Sequence, residues 1–174
     1  MLKSFQPENA EEFAAAMTVA YAWASKRKRF YPHVVELSLD EFIESQREPN
    51  KKQIGVIEGG QLRALITVWL MQDSVYDIHV IAPRKTKPGI LLQSLLQIRR
   101  SLFETQGAQI IKTSYGIYRG HPNRGVKALA EACGMAPVGD LFQFADVLHA
   151  EFQEYQITKE QYVEAKTSHR KHEQ

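Results

Sequence analysis

The sequence is poor in cysteine and carries no excess of charge of one sign. Cys133 is the only cysteine among 174 residues, which excludes an internal disulfide and a cysteine-rich zinc site and favours a reducing compartment. The 22 basic and 20 acidic residues leave a formal net charge of +2, so no global field draws the chain to nucleic acid or to a membrane surface. Neither is therefore an expected partner, and any anion site must be local.

Long hydrophobic runs, repeats and flexible linkers are missing as well. The most apolar stretch, Phe13 to Ala24, is too short to cross a bilayer. It follows Glu11 and Glu12, where a secretory signal would be basic, so it predicts an internal helix and a cytoplasmic protein. With 44% hydrophobic residues, the chain is expected to form one domain over residues 1–150, followed by a polar tail over 151–174 that is partly helical or disordered.

What the sequence does contain is an ordered series of strand and helix patterns. Asn9 with Glu12 resembles a capping box that opens the first helix, and Ser38 or Asp40 is expected to open the second. Gly59-Gly60 between two runs of strand-forming residues predicts a hairpin. The expected helices cover residues 10–26, 39–47, 88–106 and 122–133, with a further helix from 158, and the expected strands cover residues 2–5, 53–58, 61–72, 74–82, 108–114 and 138–147.

These elements predict an α/β fold of the α+β type, in which helices flank a mixed, mostly antiparallel central sheet. The strand that ends before Pro83, the long helix that begins at Pro88 and the strand from Ala108 form a crossover over residues 75–114. Such a connection is expected to join parallel strands and to be right-handed.

Two motifs on this layout resemble those of the GNAT-type, acyl-CoA-dependent N-acetyltransferases. Ile81-Ala82-Pro83 and the basic loop up to Gly89 resemble that family's strand, proline, basic loop, glycine and long helix. The segment from Asn123 to Met135 keeps the spacing of the family's Asn-x-x-Ala-x-x-Leu-Tyr-x-x-x-Gly-Phe helix. The resemblance covers residues 1–148 and implies the GNAT fold. Small divergent proteins of this kind are also encoded by phages, an origin that the resemblance permits.

The resemblance further implies that acetyl-CoA or CoA binds where the first motif passes from strand to helix. Amide groups at a helix start and the helix dipole favour an anion such as a pyrophosphate, and a strand edge can bond the amides of the pantetheine arm. The alternative is a plain strand-to-helix turn with solvated lysines. The expected cofactor contacts are Ile81, Arg84, Lys85, Lys87, Gly89, Ile90 and Asn123.

The sequence also departs from the family pattern. Thr86, Gly89 and Leu91 stand where the family usually has Arg or Gln, then Gly, then Gly or Ala. Leu91 is expected to bring a branched side chain close to the pyrophosphate and to weaken cofactor binding, and Pro88 removes one backbone donor. Ala130 occupies the position of the family's tyrosine, which often protonates the departing thiolate, and an alanine cannot donate a proton.

Acyl transfer to an amine requires a neutral amine, a stabilised oxyanion and a proton for the thiolate. Asp77 and His79 alternate along one expected strand, so both can point to one face. Asp77 is a candidate base, directly or through water, and His79 a candidate acid or base, although either can be a rim residue with a hydrogen-bond partner. Tyr115 or Tyr118 is a candidate proton donor to the sulfur, or else a packing residue with a wet hydroxyl.

Cys133 lies on the expected core face of its helix, so it is expected to be a buried structural thiol rather than a nucleophile. Because no His and carboxylate side chains occur at ligand spacing, no metal site is expected.

Two functions stay open at the level of the sequence. The first is an N-acetyltransferase that moves an acetyl group from acetyl-CoA to an amine that the sequence does not name. The second is a catalytically degenerate GNAT-fold protein that serves as a binding or assembly component, with a protein partner or as a homo-oligomer, and that is virion-associated if its origin is a phage. Three features favour the second: Leu91 in place of the loop's second small residue, the absence of the motif tyrosine at Ala130 and the polar segment from Glu151.

Overall fold

The computed structural model describes residues 1–27, 31, 34, 37–143 and 150–171, with the backbone alone for residues 169–171. The strands are β1 Leu2–Phe5, β2 Lys51–Glu58, β3 Gln61–Gln72, β4 Val75–Ile81, β5 Ile110–Tyr118, β6 His121–Pro122, β7 Ala136–Phe142 and β8 Ala150–Thr158. The helices are α1 Ala10–Ser25, α2 Leu39–Ser45, α3 Pro88–Glu104, α4 Arg124–Ala132 and α5 Lys159–Lys171. Within the described chain, no helix combines the length and the apolar character needed to cross a bilayer.

The strands form one mixed sheet in the order β1-β2-β3-β4-β5-β8-β7, with the short β6 paired to β5. Neighbouring strands are antiparallel except β4 and β5, which are parallel and are joined by α3. Gly59 and Gly60 turn the β2–β3 hairpin with φ of 58° and 75°, which is the conformation that a two-residue turn of this kind requires. The expected mixed sheet and its parallel crossover are therefore confirmed.

The alternation of side chains along the strands divides the apolar residues between two cores on opposite faces of the sheet. Leu65 on β3 packs with Phe13 of α1 and Phe42 of α2. Its neighbour Ile66 packs with Ile98 of α3 in the other core. The sheet is thus covered by α1 and α2 on one face and by α3, α4 and α5 on the other.

The two expected helix caps differ in the structure. At α1 the Asn9 side chain makes no cap hydrogen bond, because its amide donates to Glu12 at 3.3 Å and Glu12 is also paired with Lys3. The expected capping box of α1 was therefore wrong. At α2 the box is complete: the Glu41 amide donates to the Ser38 hydroxyl at 3.3 Å, and the Ser38 amide donates to the Glu41 carboxylate at 2.7 Å.

The segment that was expected to begin a polar tail is an inner strand of the sheet. β8 lies between β5 and β7 and pairs with β5 along its whole length. Phe152, Tyr155 and Ile157 are buried. Phe152 and Tyr155 lie three positions apart, so they project to opposite faces of the sheet and belong to different apolar clusters. The expected boundary at residue 150 was wrong for this reason. The helix expected from residue 158 is α5, and residues 144–147 of the expected strand 138–147 lie outside the described residues.

Candidate active site

β4 and β5 separate after a short stretch of parallel pairing. Their register runs only from Val75↔Ile110 to Asp77↔Lys112, although β4 continues to Ile81. Among the described residues, the last hydrogen bond between the two strands is the one that the Thr113 hydroxyl donates to the Ile78 carbonyl at 2.6 Å. Beyond this bond the sheet is open between its two central strands.

A cavity of about 300 Å³ fills this opening. On the side of α1 and α2 it is lined by residues such as Phe42, Trp69 and His79, and on the side of α4 by Asn123 and Val126. Since these residues belong to opposite faces, the cavity passes through the sheet. Two molecules that enter from opposite faces can therefore meet at the gap.

The structure brings Asp77 and His79 together at this cavity. His79 Nε2 lies 3.3 Å from Asp77 Oδ2. The His79 side chain is 34% exposed and the Asp77 side chain 14%, and only His79 lines the cavity. A neutral imidazole that donates from Nε2 to the carboxylate carries its basic lone pair on Nδ1. The geometry makes His79 the group that can meet an amine and Asp77 the group that orients it.

The register of the sheet sets Lys51, Trp69 and Asp77 side by side on β2, β3 and β4. Lys51 pairs with Trp69 and Trp69 pairs with Asp77, so the three side chains project to the same face. Trp69 Nε1 and Asp77 Oδ1 are buried atoms that find no hydrogen-bond partner among the described residues. We call these three residues the polar row. Sequence analysis missed Lys51 and Trp69, because only strand pairing brings them to Asp77.

The two candidate proton donors, Tyr115 and Tyr118, differ in their position relative to the cavity. Tyr115 lines the cavity, and its ring lies 5.7 Å from the ring of Tyr155. Tyr118 instead packs beside Phe152 and is not among the described residues that line the cavity. Ala130 lines a smaller cavity of about 30 Å³ on the α4 side. Of the two candidates, Tyr115 is the phenol that can reach a group in the gap.

The loop from β4 to α3 exposes the expected phosphate-binding residues. Arg84, Lys85, Lys87 and Gly89 are exposed, and none of the three basic side chains forms an ion pair with a described residue. A Cβ added at Gly89 would meet no atom within 4 Å. Ile90 is half-buried against the α3 core. The loop therefore presents positive charge and open backbone to solvent, as an anion site requires.

The expected effect of Leu91 on this loop was wrong. Its side chain is only 7% exposed and packs in the core beneath α3. In a helix, successive side chains are turned by about 100°, so the residue two positions after Gly89 points into the core rather than toward the loop. Leu91 therefore leaves the approach to the helix start open.

The edge of β4 that faces the gap is partly occupied by other parts of the chain. The carbonyls of Ser74 and Ile78 point toward β5, and because the backbone groups of alternate residues share one direction, those of Val80 do so too. Ala82, which is next in this series, donates to the Tyr31 hydroxyl at 3.2 Å and accepts from Arg27 at 3.2 Å. Val80 thus has the backbone groups best placed for a ligand in the gap.

Ile81 and Asn123 line the cavity with their side chains. Ile81 pairs with Leu65 on β3, and its buried side chain lines the cavity. The Asn123 side chain caps α4, where it accepts from the Val126 amide at 3.4 Å, and it also lines the cavity.

Sequence analysis did not single out Tyr31 for this site; its phenol lies in the cavity, and burial raises its pKa.

Cys133 is 2% exposed and lies beside the smaller cavity, where burial raises the pKa of its thiol. A thiol that is kept protonated in this way is a packing group rather than a nucleophile. No cluster of His, Cys, Asp and Glu among the described residues has the geometry of a metal site.

No protein-family model matches this sequence, and no curated protein matches it. Solved structures do match. A spermidine N-acetyltransferase from Vibrio cholerae in complex with CoA and spermine is 12% identical with a TM-score of 0.71, over 94% of this chain and 97% of that one. An aminoglycoside 6'-acetyltransferase type Ii is 12% identical with a TM-score of 0.64, over 91% and 97% of the two chains.

A probable acetyltransferase is 17% identical with a TM-score of 0.65 and is covered over 92% of its length. A dodecameric structure of the Vibrio cholerae enzyme in an intermediate state matches with a TM-score of 0.68. At these identities the likeness is one of fold. The chain has the fold of the GNAT acetyltransferases, as the two sequence motifs implied.

Proposed function

We propose that this protein is an N-acetyltransferase that transfers the acetyl group of acetyl-CoA to an amine. The observation that carries the proposal is the cavity through the sheet between β4 and β5. It reaches from Asn123 and Val126 at the start of α4 on one side to Lys51, Trp69 and His79 on the other, so a donor and an acceptor can react without sharing an entrance. Structural neighbours of the same fold, one of them in complex with CoA, support this assignment.

On the donor side, the residues present fit the cofactor. Arg84, Lys85 and Lys87 supply unpaired positive charge for phosphates, and the open space at Gly89 lets an anion approach the start of α3. Charge of this sign is reinforced by the dipole at a helix N-terminus. Val80 offers its carbonyl in the gap, at the place where an extended pantetheine arm can be bonded as an additional strand is.

Acetyl-CoA supplies the acetyl group as a thioester, and the chain's own residues handle the protons. His79 accepts a proton from the incoming amine, with Asp77 holding the imidazole at 3.3 Å. The Val80 amide donates to the carbonyl oxygen as negative charge develops on it. Tyr115 donates a proton to the sulfur as the C–S bond breaks and the C–N bond forms, which replaces the function lost at Ala130.

The alternative, a GNAT-fold binding or assembly component, depended mainly on two departures in the sequence. Leu91 lies in the core rather than beside the loop, and Tyr115 lines the cavity where a proton donor is needed. Both observations favour the enzyme over the alternative.

Isothermal titration calorimetry with CoA tests the proposal on three proteins. The wild type should bind CoA, and Gly89→Glu should lower the affinity by about tenfold or more because it puts bulk and negative charge at the anion site. Gly89→Ala is the matched control, since its Cβ has open space, and it should bind nearly as the wild type does. A wild type that fails to bind CoA at millimolar concentration would reject the enzyme and favour the assembly component.

A further inference from the structure

The acceptor side of the cavity has walls that are mostly apolar. We call this part the acceptor chamber; it is lined by the side chains of Val34, Leu37, Phe42, Lys51, Trp69 and Phe152. It is also lined by the polar side chains of Ser45, Gln46, Thr67 and Ser114. Aromatic and aliphatic walls of this kind bind an apolar body by removing its surface from water. The polar side chains of Gln46 and Thr67 are hydrogen-bonded to Gln53 at 3.1 and 2.8 Å, so the chamber offers few further partners to a substrate that is polar along its whole length.

Among the described residues, the charged side chain that lines the acceptor chamber is a cation. Lys51 is the only Lys, Arg, Asp or Glu among the described residues that line the cavity. The Lys51 ammonium donates to the Ser45 carbonyl and to Glu48, both at 2.8 Å. Its side chain is 11% exposed, whereas that of Glu48 is 44% exposed. The ammonium is therefore held in place inside the chamber, with its counter-charge toward solvent.

The same ammonium covers the best cation-binding surface of the chamber. Lys51 Nζ lies 4.5 Å from the centroid of the Trp69 ring, within the range of a cation–π contact. A second ammonium on a substrate would find this ring face occupied and would be repelled by Lys51. An occupied aromatic face and a fixed like charge together select against a polycation.

The chamber does provide for a single amine. The carboxylate of Asp77 lies next to Trp69 in the polar row and is joined to His79, so its negative charge lies behind the imidazole that the acceptor nitrogen must approach. One ammonium is attracted there and can lose its proton to the imidazole. Further ammonium groups along the same molecule would lie among apolar walls and beside Lys51.

From these observations we propose that the acceptor is a primary monoamine on an apolar body, such as an arylalkylamine, and that Lys51 is the residue that excludes polycations. The proposal rests on the proposed function for the identity of the chamber as the acceptor side. The proposed substrate differs from spermine, which is bound in one structural neighbour. The reason is that the described walls of the chamber hold a cation where a polyamine needs anions.

Amine binding can be measured without turnover through the fluorescence of Trp69. The chain has two tryptophans, so a Trp23→Phe background leaves Trp69 as the reporter inside the chamber. In this background 2-phenylethylamine should bind about tenfold tighter than spermidine or more. Equal affinity, tighter binding of spermidine, or no binding of 2-phenylethylamine at millimolar concentration would each overturn the proposal.

The role of Lys51 is tested by the ratio of the two affinities. Lys51→Met removes the charge and keeps the length of the side chain, so the preference for 2-phenylethylamine should fall by about tenfold. Lys51→Gln serves the same purpose if the first variant is unfolded, since its amide can still donate to the Ser45 carbonyl. Lys52→Met is the matched control on the exposed side of β2 and should leave the ratio unchanged. A ratio that does not change in either Lys51 variant would refute the assigned role.

The amine-binding results and the CoA-binding results test different proposals. If CoA binds but spermidine is preferred, the substrate class is wrong and the transferase proposal stands. If CoA does not bind, the transferase proposal fails, and the preference among amines still decides whether the chamber selects a monoamine.

Discussion

Helix α3 carries charged side chains near both ends, and the two groups differ in what surrounds them. Before its start, Arg84, Lys85 and Lys87 are exposed, and none forms an ion pair with another described residue. At its end, Glu104 accepts from Arg100 of the same helix at 2.9 Å. We call these groups the loop cluster and the end cluster.

The end cluster also holds α5 against α3. Glu104 accepts from the Tyr162 hydroxyl at 2.7 Å and from the Lys166 ammonium at 2.6 Å, and the Tyr162 ring stacks on Phe103. Charges that satisfy one another in this way stabilise the fold and offer little to a ligand. Charges without a partner, as in the loop cluster, are available to bind an anion. The comparison predicts that the two clusters respond differently to mutation.

The largest effect is expected at the Asp77–His79 pair. This pair is an exception to the division between paired charges that stabilise the fold and unpaired charges that bind a ligand, because it is paired and yet lies at the cavity. His79→Ala should lower kcat about 10²- to 10⁴-fold, since it removes the general base. CoA affinity should be unchanged, because His79 lies on the acceptor side. Steady-state kinetics and calorimetry measure the two quantities. His121→Ala, at an exposed histidine, is the control, and a parallel loss of CoA affinity in His79→Ala would contradict the assigned role.

An intermediate effect is expected when the loop cluster loses its charge. The double variant Arg84→Ala, Lys87→Ala should raise the Kd for CoA about tenfold, because charged hydrogen bonds to phosphate are lost. The Tm should stay the same, since neither side chain forms an ion pair with a described residue. Arg100→Ala is the comparison from the end cluster and should lower the Tm slightly without changing the Kd. Added salt should weaken CoA binding more in the wild type than in the double variant.

The smallest effect is expected at Glu104. Hydrogen bonds from Lys166, Arg100 and Tyr162 lower the pKa of its carboxyl from 4.5 to about 2. A carboxyl with a depressed pKa in the folded protein stabilises it above the pKa of the unfolded chain, and this contribution is lost as the pH falls from about 4.5 toward 2. The Tm difference between the wild type and Glu104→Gln should therefore be small, largest above this window, and absent at its lower end.

Thermal unfolding followed by circular dichroism across this pH range measures the difference. Glu160→Gln replaces an exposed carboxylate in the first turn of α5 and is the matched control for the loss of one negative charge. A Tm difference for Glu104→Gln that grows as the pH falls would show that the ion pairs do not stabilise the fold.

Much of the fold could be predicted from local patterns. Gly59-Gly60 predicted the hairpin because both turn residues need positive φ, and the order of strand, helix and strand around Pro83 and Pro88 predicted the parallel pair β4 and β5. β8 was mistaken for a tail because its exposed positions are strongly polar, and only its neighbours β5 and β7 explain why Phe152 and Tyr155 are buried. Local patterns fail where an element is defined by what it pairs with.

The candidate site divides in the same way. Asp77 and His79 could be predicted to share a face, because alternation along one strand is a local property. Tyr31 could not be connected with Ala82, since their hydrogen bond joins residues 51 positions apart. The choice of Tyr115 over Tyr118 also needed the cavity, because both come shortly after the expected strand 108–114 and the sequence alone does not distinguish them.

The sequence by itself determined the order of helices and strands, the GNAT-like motifs and the basic charge of the loop before α3, because these depend on neighbouring residues. Only the tertiary structure decided that Lys51, Trp69 and Asp77 form one row and that β4 and β5 part after Asp77. Strand register joins residues far apart in the chain, and no local pattern specifies it. The cavity, and the preference for one kind of amine that we propose for it, therefore follow from pairing rather than from composition.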